Sequence, residues 1–228
     1  MGNRAGRSEL DLTGSIAAFG RVAYSDLVTI AIVSVLATVA SIPLVTVGAA
    51  ILALVETVTV VVTGEGRGGP TTERQRIRLF LDSFRSNLRR GLPYSLVFVG
   101  TVVATGYYVL GATTGSGVFL IGSLLGLYAL VIVVAWLLRI ASLTVRASDD
   151  LEFVEAARDG AYLALEYPWY TALQLFTVGG ILLVAFPFPP AYALLVPGLL
   201  AVLEVVAFEE TSGRGAMSLV RAYRGELE

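Results

Sequence analysis

Residues 91–138 read GLPYSLVFVGTVVATGYYVLGATTGSGVFLIGSLLGLYALVIVVAWLL, 48 positions without an Asp, Glu, Lys or Arg. About 20 apolar residues in a helix cross a bilayer core about 30 Å thick. The run is too long for one crossing and suits a pair. Its middle, Gly111-Ala-Thr-Thr-Gly-Ser-Gly117, is a loop by composition, which predicts spans over about 93–111 and 118–140. Two further uncharged runs, 27–55 and 167–203, flank it. The first, extended to Thr63, is interrupted at Ser41-Ile-Pro43. Proline there restricts the residue before it and disfavours helix continuation, so spans are expected over about 26–42 and 46–63. Residues 41–48 between them read either as a simple loop or as a re-entrant segment. The second flanking run breaks at Phe186-Pro-Phe-Pro-Pro190, giving spans over about 168–186 and 191–208. The expected fold is all-α: a single integral-membrane domain over 1–228, with about six transmembrane helices paired as three hairpins.

Composition points the same way. Of 228 residues, 56% are hydrophobic and 15% charged, with mean hydropathy +0.78, whereas a soluble domain carries about 25% charged residues. The first apolar run starts too late and is too long for a signal peptide, and Ala5-Gly6 leaves no Ser or Thr where a myristoylation signal needs one. The first span is therefore expected to stay in the mature protein. The absence of Cys, His and Lys removes disulfides, thiolate nucleophiles, imidazole bases, Schiff-base lysines and Cys/His zinc sites. No pair of carboxylates has a spacing that argues for acid–base work. The expectation is a non-enzymatic protein with no catalytic residue, cofactor or metal. A net charge of -2 offers no basic field for nucleic acid.

Three charged stretches precede the three hairpins with a helical period of their own. Over about 71–90, Ile77, Phe80, Leu81, Phe84 and Leu88 share a stripe while Arg74, Arg78, Arg85 and Arg89 lie off it. Pro70 and Thr72-x-x-Gln75 supply a start with a capping box. Over about 149–165 the stripe is Leu151, Val154, Ala161 and Leu165, after the acidic turn of Asp149, Asp150 and Glu152. Over about 12–25 it is Leu12, Ile16, Phe19 and Ala23. All 16 basic residues are Arg, and all fall in segments on one side of the expected threading. By the positive-inside rule this places the chain in the cytoplasmic (inner) membrane as a multi-pass protein with both termini cytoplasmic. The opposite loops are short and uncharged, so recognition outside the bilayer is expected from the cytoplasm.

Ionisable groups inside spans are costly and default to a functional reading. Glu56, Arg139 and Glu204 all fall within about 10 Å of the inner interface by helix rise and form a candidate intramembrane cluster. The bland alternative is separate snorkelling to the headgroups; if they do meet, structural pairing is expected ahead of proton or ion coupling. Gly122-x-x-x-Gly126 lets two helices approach closely, with packing inside the chain expected ahead of dimerisation. Arg74, Arg78, Arg85 and Arg89 are candidates for contact with anionic lipid or a partner, lipid being the simpler reading. Gly179-Gly180 and Pro197-Gly198 interrupt the last two spans, with Gln174 and Thr177 as polar support; broken helices mark binding sites in some transporters, though packing absorbs most of them.

Three stretches together resemble the YesL-like family of small prokaryotic polytopic membrane proteins, a domain of unknown function. They are Phe19 to Leu54, above all Ser41-Ile-Pro-Leu-Val-Thr-Val-Gly48; Phe80 to Leu92, with Phe84-Arg-Ser-Asn-Leu-Arg-Arg90; and Ala156 to Leu175, with Glu166-Tyr-Pro168. The resemblance implies an accessory role in carbohydrate uptake, and no ligand or catalytic residue comes with it. The expected function is an accessory or regulatory partner of a transport system. Its partners would be the lipid bilayer and a membrane transporter or cytoplasmic protein. The alternative is a small oligomeric transporter or channel using Glu56, Arg139 and Glu204.

Overall fold

The computed structural model describes residues 12–63, 72–147 and 152–212, and among these every regular element is a helix. The expectations on Arg4, Arg7, Arg67, Pro70, Asp149, Asp150, Leu151, Arg214, Arg221 and Arg224 lie outside the described residues.

The longest feature is the hairpin of α5 (Leu92–Ala112) and α6 (Gly117–Arg146), turned at Gly115, whose φ of 76° needs glycine. α5 opens with Pro93, whose missing N–H costs nothing in a first turn. Gly122 and Gly126 face α5. A Cβ at 122 would run into the Tyr108 ring, one at 126 would press on Thr105, and the Thr105 hydroxyl donates to the Gly126 carbonyl at 3.1 Å. The glycine pair thus seats α6 on α5 within the chain. Between 101 and 134 only Thr105 is buried, so this half of the hairpin turns an apolar surface outward on both helices.

The other elements gather around the opposite half of that hairpin. α2 (Leu27–Ala40) leads through a 3-10 turn (Leu44–Thr46) into α3 (Val47–Thr63). The turn docks on the first turn of α5. Ser95 Oγ donates to the Val45 carbonyl at 2.7 Å and accepts the Gly48 N–H at 2.8 Å. The Gly48 and Gly91 backbones abut so closely that a Cβ on either would overlap the other. α4 (Glu73–Ser86), opened by the expected Thr72/Gln75 capping box, runs back along α3 from the start of α2 to this contact.

Among the described residues, four helices are long and apolar enough to cross a membrane: Leu44–Thr63, Leu92–Ala112, Gly117–Arg146 and Pro168–Ala185, the last being α8. A fifth would require counting α1 (Leu12–Ser25) with α2 across an 83° bend. Six separate crossings were expected, and the difference has two physical causes. In the first run only Leu44–Thr63 is long enough by itself, since α2 has 14 residues and rises only about 21 Å. Its turn also lies beside Ser95, about 25 Å of helix rise from the Ala112 end of α5, where an outer loop would belong.

The last run is broken again after its expected proline loop. α9 (Pro189–Leu194) stops at Leu195 and α10 (Val196–Thr211) restarts on Pro197, because proline has no N–H to continue the ladder. α2 satisfies the groups that the break exposes. Thr38 Oγ1 donates to the Ala193 carbonyl at 3.2 Å and Ser34 Oγ to that of Leu195 at 3.5 Å, while the Gly198 N–H donates to Ser34 Oγ at 2.8 Å.

Two apolar clusters hold the bundle. One joins Val22, Val33, Leu54, Phe80 and Val206 from α1, α2, α3, α4 and α10. The other joins Leu52, Tyr94, Ile140, Ala156 and Val178 from α3, α5, α6, α7 (Phe153–Glu166) and α8. α3 and α10 contribute to both clusters.

Candidate functional site

The amphipathic helices divide their faces in a way that the stripes alone did not reveal. On α4 the centre of the apolar stripe packs into the bundle, where Phe80 is fully buried and stacks on Phe84 at 6.3 Å, against α2 and α3, while Leu81 and Leu88 stay partly exposed. Arg74, Arg78 and Arg85 of α4, and Arg89 in the turn that follows it, all stand exposed. Polar bonds hold the helix near both ends. Arg76 Nη1 reaches the Thr29 hydroxyl and lies 3.9 Å from Asp26, and Glu56 accepts from Ser83 at 2.5 Å and from Asn87 at 3.3 Å.

α7 does the reverse. It turns the small residues Ala156 and Gly160 to the bundle and leaves Val154, Ala161 and Leu165 exposed. The expected stripe is therefore its outward face. Gly160 packs on α6 beside Arg139, Ile140 and Leu143, at a spacing where a Cβ would make ordinary contacts at 3.6–3.7 Å.

Beneath α7 lies the principal buried polar site. Arg139 stands on α6 about two turns before the helix ends, Gln174 on α8 and Glu204 on α10. Arg139 Nε is 2.7 Å from Glu204 Oε1, Arg139 Nη2 donates to Gln174 Oε1 at 2.7 Å, and the Gln174 amide donates to Glu204 Oε2. Arg139 Nη1 reaches Thr211 Oγ1 at 3.4 Å. Glu204 is completely buried and Arg139 and Gln174 nearly so. Each charge has an opposite partner and further polar contacts, which such a location demands.

Seven residues on, and so on the same face of α6, Arg146 pairs with Glu209 at 3.0 Å with its guanidinium 4.2 Å from the centre of the Phe208 ring. The two pairs tie α6 to α10.

The expected trio is therefore divided. Arg139 and Glu204 meet, while Glu56 faces α4 and serves as an acceptor for Ser83 and Asn87. Sequence reasoning missed the bridging part of Gln174, the Arg146–Glu209 pair and the Arg76–Asp26 contact. Gly179 and Gly180 have open space where a Cβ would stand, whereas Gly198 is pressed against Ile30 and Ser34, so the Pro197-Gly198 break is packed by α2.

Two clefts flank Gln174. One, about 410 Å³, opens between α6, α7 and α8 and is lined by Ile132, Trp136, Arg139, Ala164, Leu165 and Gln174 among others. The second, about 280 Å³, lies between α1, α8 and α10. Among the described residues no group of three acidic side chains could hold a metal ion. Comparison with family models, curated proteins and solved structures finds no match to the chain.

Proposed function

We propose that this chain is a non-enzymatic polytopic protein of the cytoplasmic membrane, related to the YesL-like proteins. In this reading it acts as an accessory or regulatory partner of a transport system, with carbohydrate uptake the implied setting. The face it offers is the outer side of α4. One observation carries the reading. The bulkiest part of the α4 stripe, Phe80 and Phe84, is spent on α2 and α3, which leaves only the partly exposed Leu81 and Leu88 for lipid, and the exposed Arg74, Arg78 and Arg85, with Arg89 just past the helix end, make a cationic surface. An interfacial lipid-binding helix needs its apolar face as well as its charges. A cationic face without one suits an acidic protein surface, through charge complementarity. The bonds from Arg76 and Glu56 connect α4 to α2 and α3, so a load on the cationic face reaches the membrane helices.

The threading that goes with this reading keeps α4, α7 and both termini on the cytoplasmic side. α5, α6, α8 and the broken α9–α10 segment cross the membrane, and the α2–α3 hairpin enters from the cytoplasm with exposed Ile42, Leu44 and Val45 at its tip. This replaces the first two of six spans by a re-entrant pair. The test is the triple reversal of Arg74, Arg78 and Arg85 to Glu in the full chain. Crosslinking in native membranes should then lose the transport-system partner by at least about tenfold, the equivalent of about 1.4 kcal/mol, with membrane insertion unchanged. Association that ignores both the reversal and added salt contradicts the proposal.

A second reading, a small oligomeric transporter, is favoured by the buried Arg139–Glu204 pair with clefts on either side. Under it, Glu204→Gln abolishes flux; under the accessory reading the same variant keeps its partner.

A further inference from the structure

The cleft between α6, α7 and α8 has the make-up of a ligand site: apolar walls with a few convergent polar groups. Its walls are Ile132, Ala135, Trp136, Ala164 and Leu165, and its polar groups include Arg139 and Gln174. Both of these are more than nine-tenths buried. Gln174 spends its carbonyl on Arg139 and one N–H on Glu204, and Arg139 contacts Glu204, Gln174 and Thr211. An amide nitrogen has two N–H groups and a guanidinium five. Among the described residues, the floor therefore keeps N–H groups that no acceptor has taken, and such groups are costly to bury unmet. The Arg139 charge is balanced by Glu204, so the site asks for a hydrogen-bond acceptor at the end of an apolar body rather than for a compact anion.

The surroundings indicate where such a molecule would come from. Leu165 lines the cleft and also belongs to the outward apolar face of α7, with Val154 and Ala161. Trp169, at the start of α8, is 84% exposed. An amphipathic helix with its apolar face open and a tryptophan beside it is the arrangement that sits at the boundary between headgroups and chains. Through Leu165 and Ala161 the cleft is continuous with that surface.

We propose that this cleft is a binding site for one membrane glycerolipid, with an apolar chain along Ile132, Trp136 and Leu165 and an acceptor oxygen of the glycerol end on Arg139 and Gln174. The site is independent of the α4 docking face. Lipid bound here fills the gap between α7 and the α6–α8 pair and engages the network that holds α10.

The test places the full-length protein in phosphatidylglycerol vesicles with a trace of the same lipid carrying a diazirine in one chain. Crosslinked residues are mapped by mass spectrometry. Labelling should concentrate on Ile132, Trp136 and Leu165 over Leu124 and Leu125 of the outward α6 surface, and unlabelled phosphatidylglycerol should compete. Ala164→Phe fills the cleft without touching the polar network, and Gln174→Leu removes the amide donor offered to the lipid oxygen. Each should lower cleft labelling by about tenfold, Ala164→Phe by occupying the space and Gln174→Leu by the loss of one hydrogen bond from a buried donor, and leave Leu124 and Leu125 labelled as before. If neither variant folds, concentration and competition in the unmodified chain decide the matter. Labelling spread evenly over the apolar surface, or cleft labelling unchanged in both variants, overturns the proposal. Equal cleft labelling by a diazirine hydrocarbon with no glycerol end overturns the assignment to a glycerolipid.

Discussion

At the scale of single residues, the chain handles its intramembrane charges by giving each a geometric partner. Arg139 and Glu204 are 2.7 Å apart with Gln174 bonded to both. Such a pair stabilises little over an apolar replacement, but removing one member strands the other. Glu204→Ala should therefore cost about 3–5 kcal/mol, read as a lowered unfolding midpoint in detergent, while Arg139→Met with Glu204→Leu should recover most of that loss. A double variant as unstable as the single one would show that the network does more than balance its own charges. The sequence made these residues visible, because a charge inside an apolar run stands out. Partner choice was not visible. Glu56 carries the same charge as Glu204 and lies at a similar expected depth, yet the rotation of α3 turns it toward Ser83 and Asn87, and rotation about a buried helix axis leaves no clear mark in an almost uniformly apolar sequence.

At the scale of elements, legibility followed the breakers. The α5–α6 hairpin was readable because Gly115 and its neighbours interrupt an otherwise uncharged stretch, and the α4 start because Thr72 and Gln75 form their box. The α9–α10 break was less plain. Pro197 was noticed, but nothing along the chain says that α2 would supply Ser34 and Thr38 to accommodate it. That arrangement makes a prediction. Ser34→Ala with Thr38→Val strands two backbone groups of the break, the Ala193 carbonyl and the Gly198 N–H, while the Leu195 carbonyl keeps the Leu199 N–H at 2.9 Å. The pair should cost about 1–3 kcal/mol per stranded group and speed amide exchange at Gly198 relative to α6. Unchanged exchange at Gly198 would mean that water satisfies the break. The faces of α4 and α7 teach a related point. Both show a clean apolar stripe in sequence, yet Phe80 is buried and Leu165 is 77% exposed. A stripe states that a face avoids water; whether protein or lipid meets it depends on the neighbours.

For the molecule as a whole, the exposed apolar half of the α5–α6 hairpin and the cationic face of α4 belong to opposite ends of one body. A bilayer is the environment that accommodates both. The all-helical, membrane-compatible character was legible from the uncharged runs. The number of helices long enough to cross was not, because the 37 residues from Leu27 to Thr63 hold enough apolar residues for two spans but divide into a 14-residue α2 and an α3 joined by a turn seated on Ser95. The chain contains no cysteine, so single-cysteine labelling with a membrane-impermeant maleimide in intact cells is a direct measurement. Cysteine at Thr114, in the α5–α6 turn, should react from outside. Cysteine at Ser86, at the end of α4, and at Ile42, at the α2–α3 tip, should not react from outside, and Ser86 should become reactive once the membrane is opened. Reaction of Ser86 or Ile42 in intact cells, or a Thr114 position reached only after permeabilisation, would contradict the threading on which the account rests.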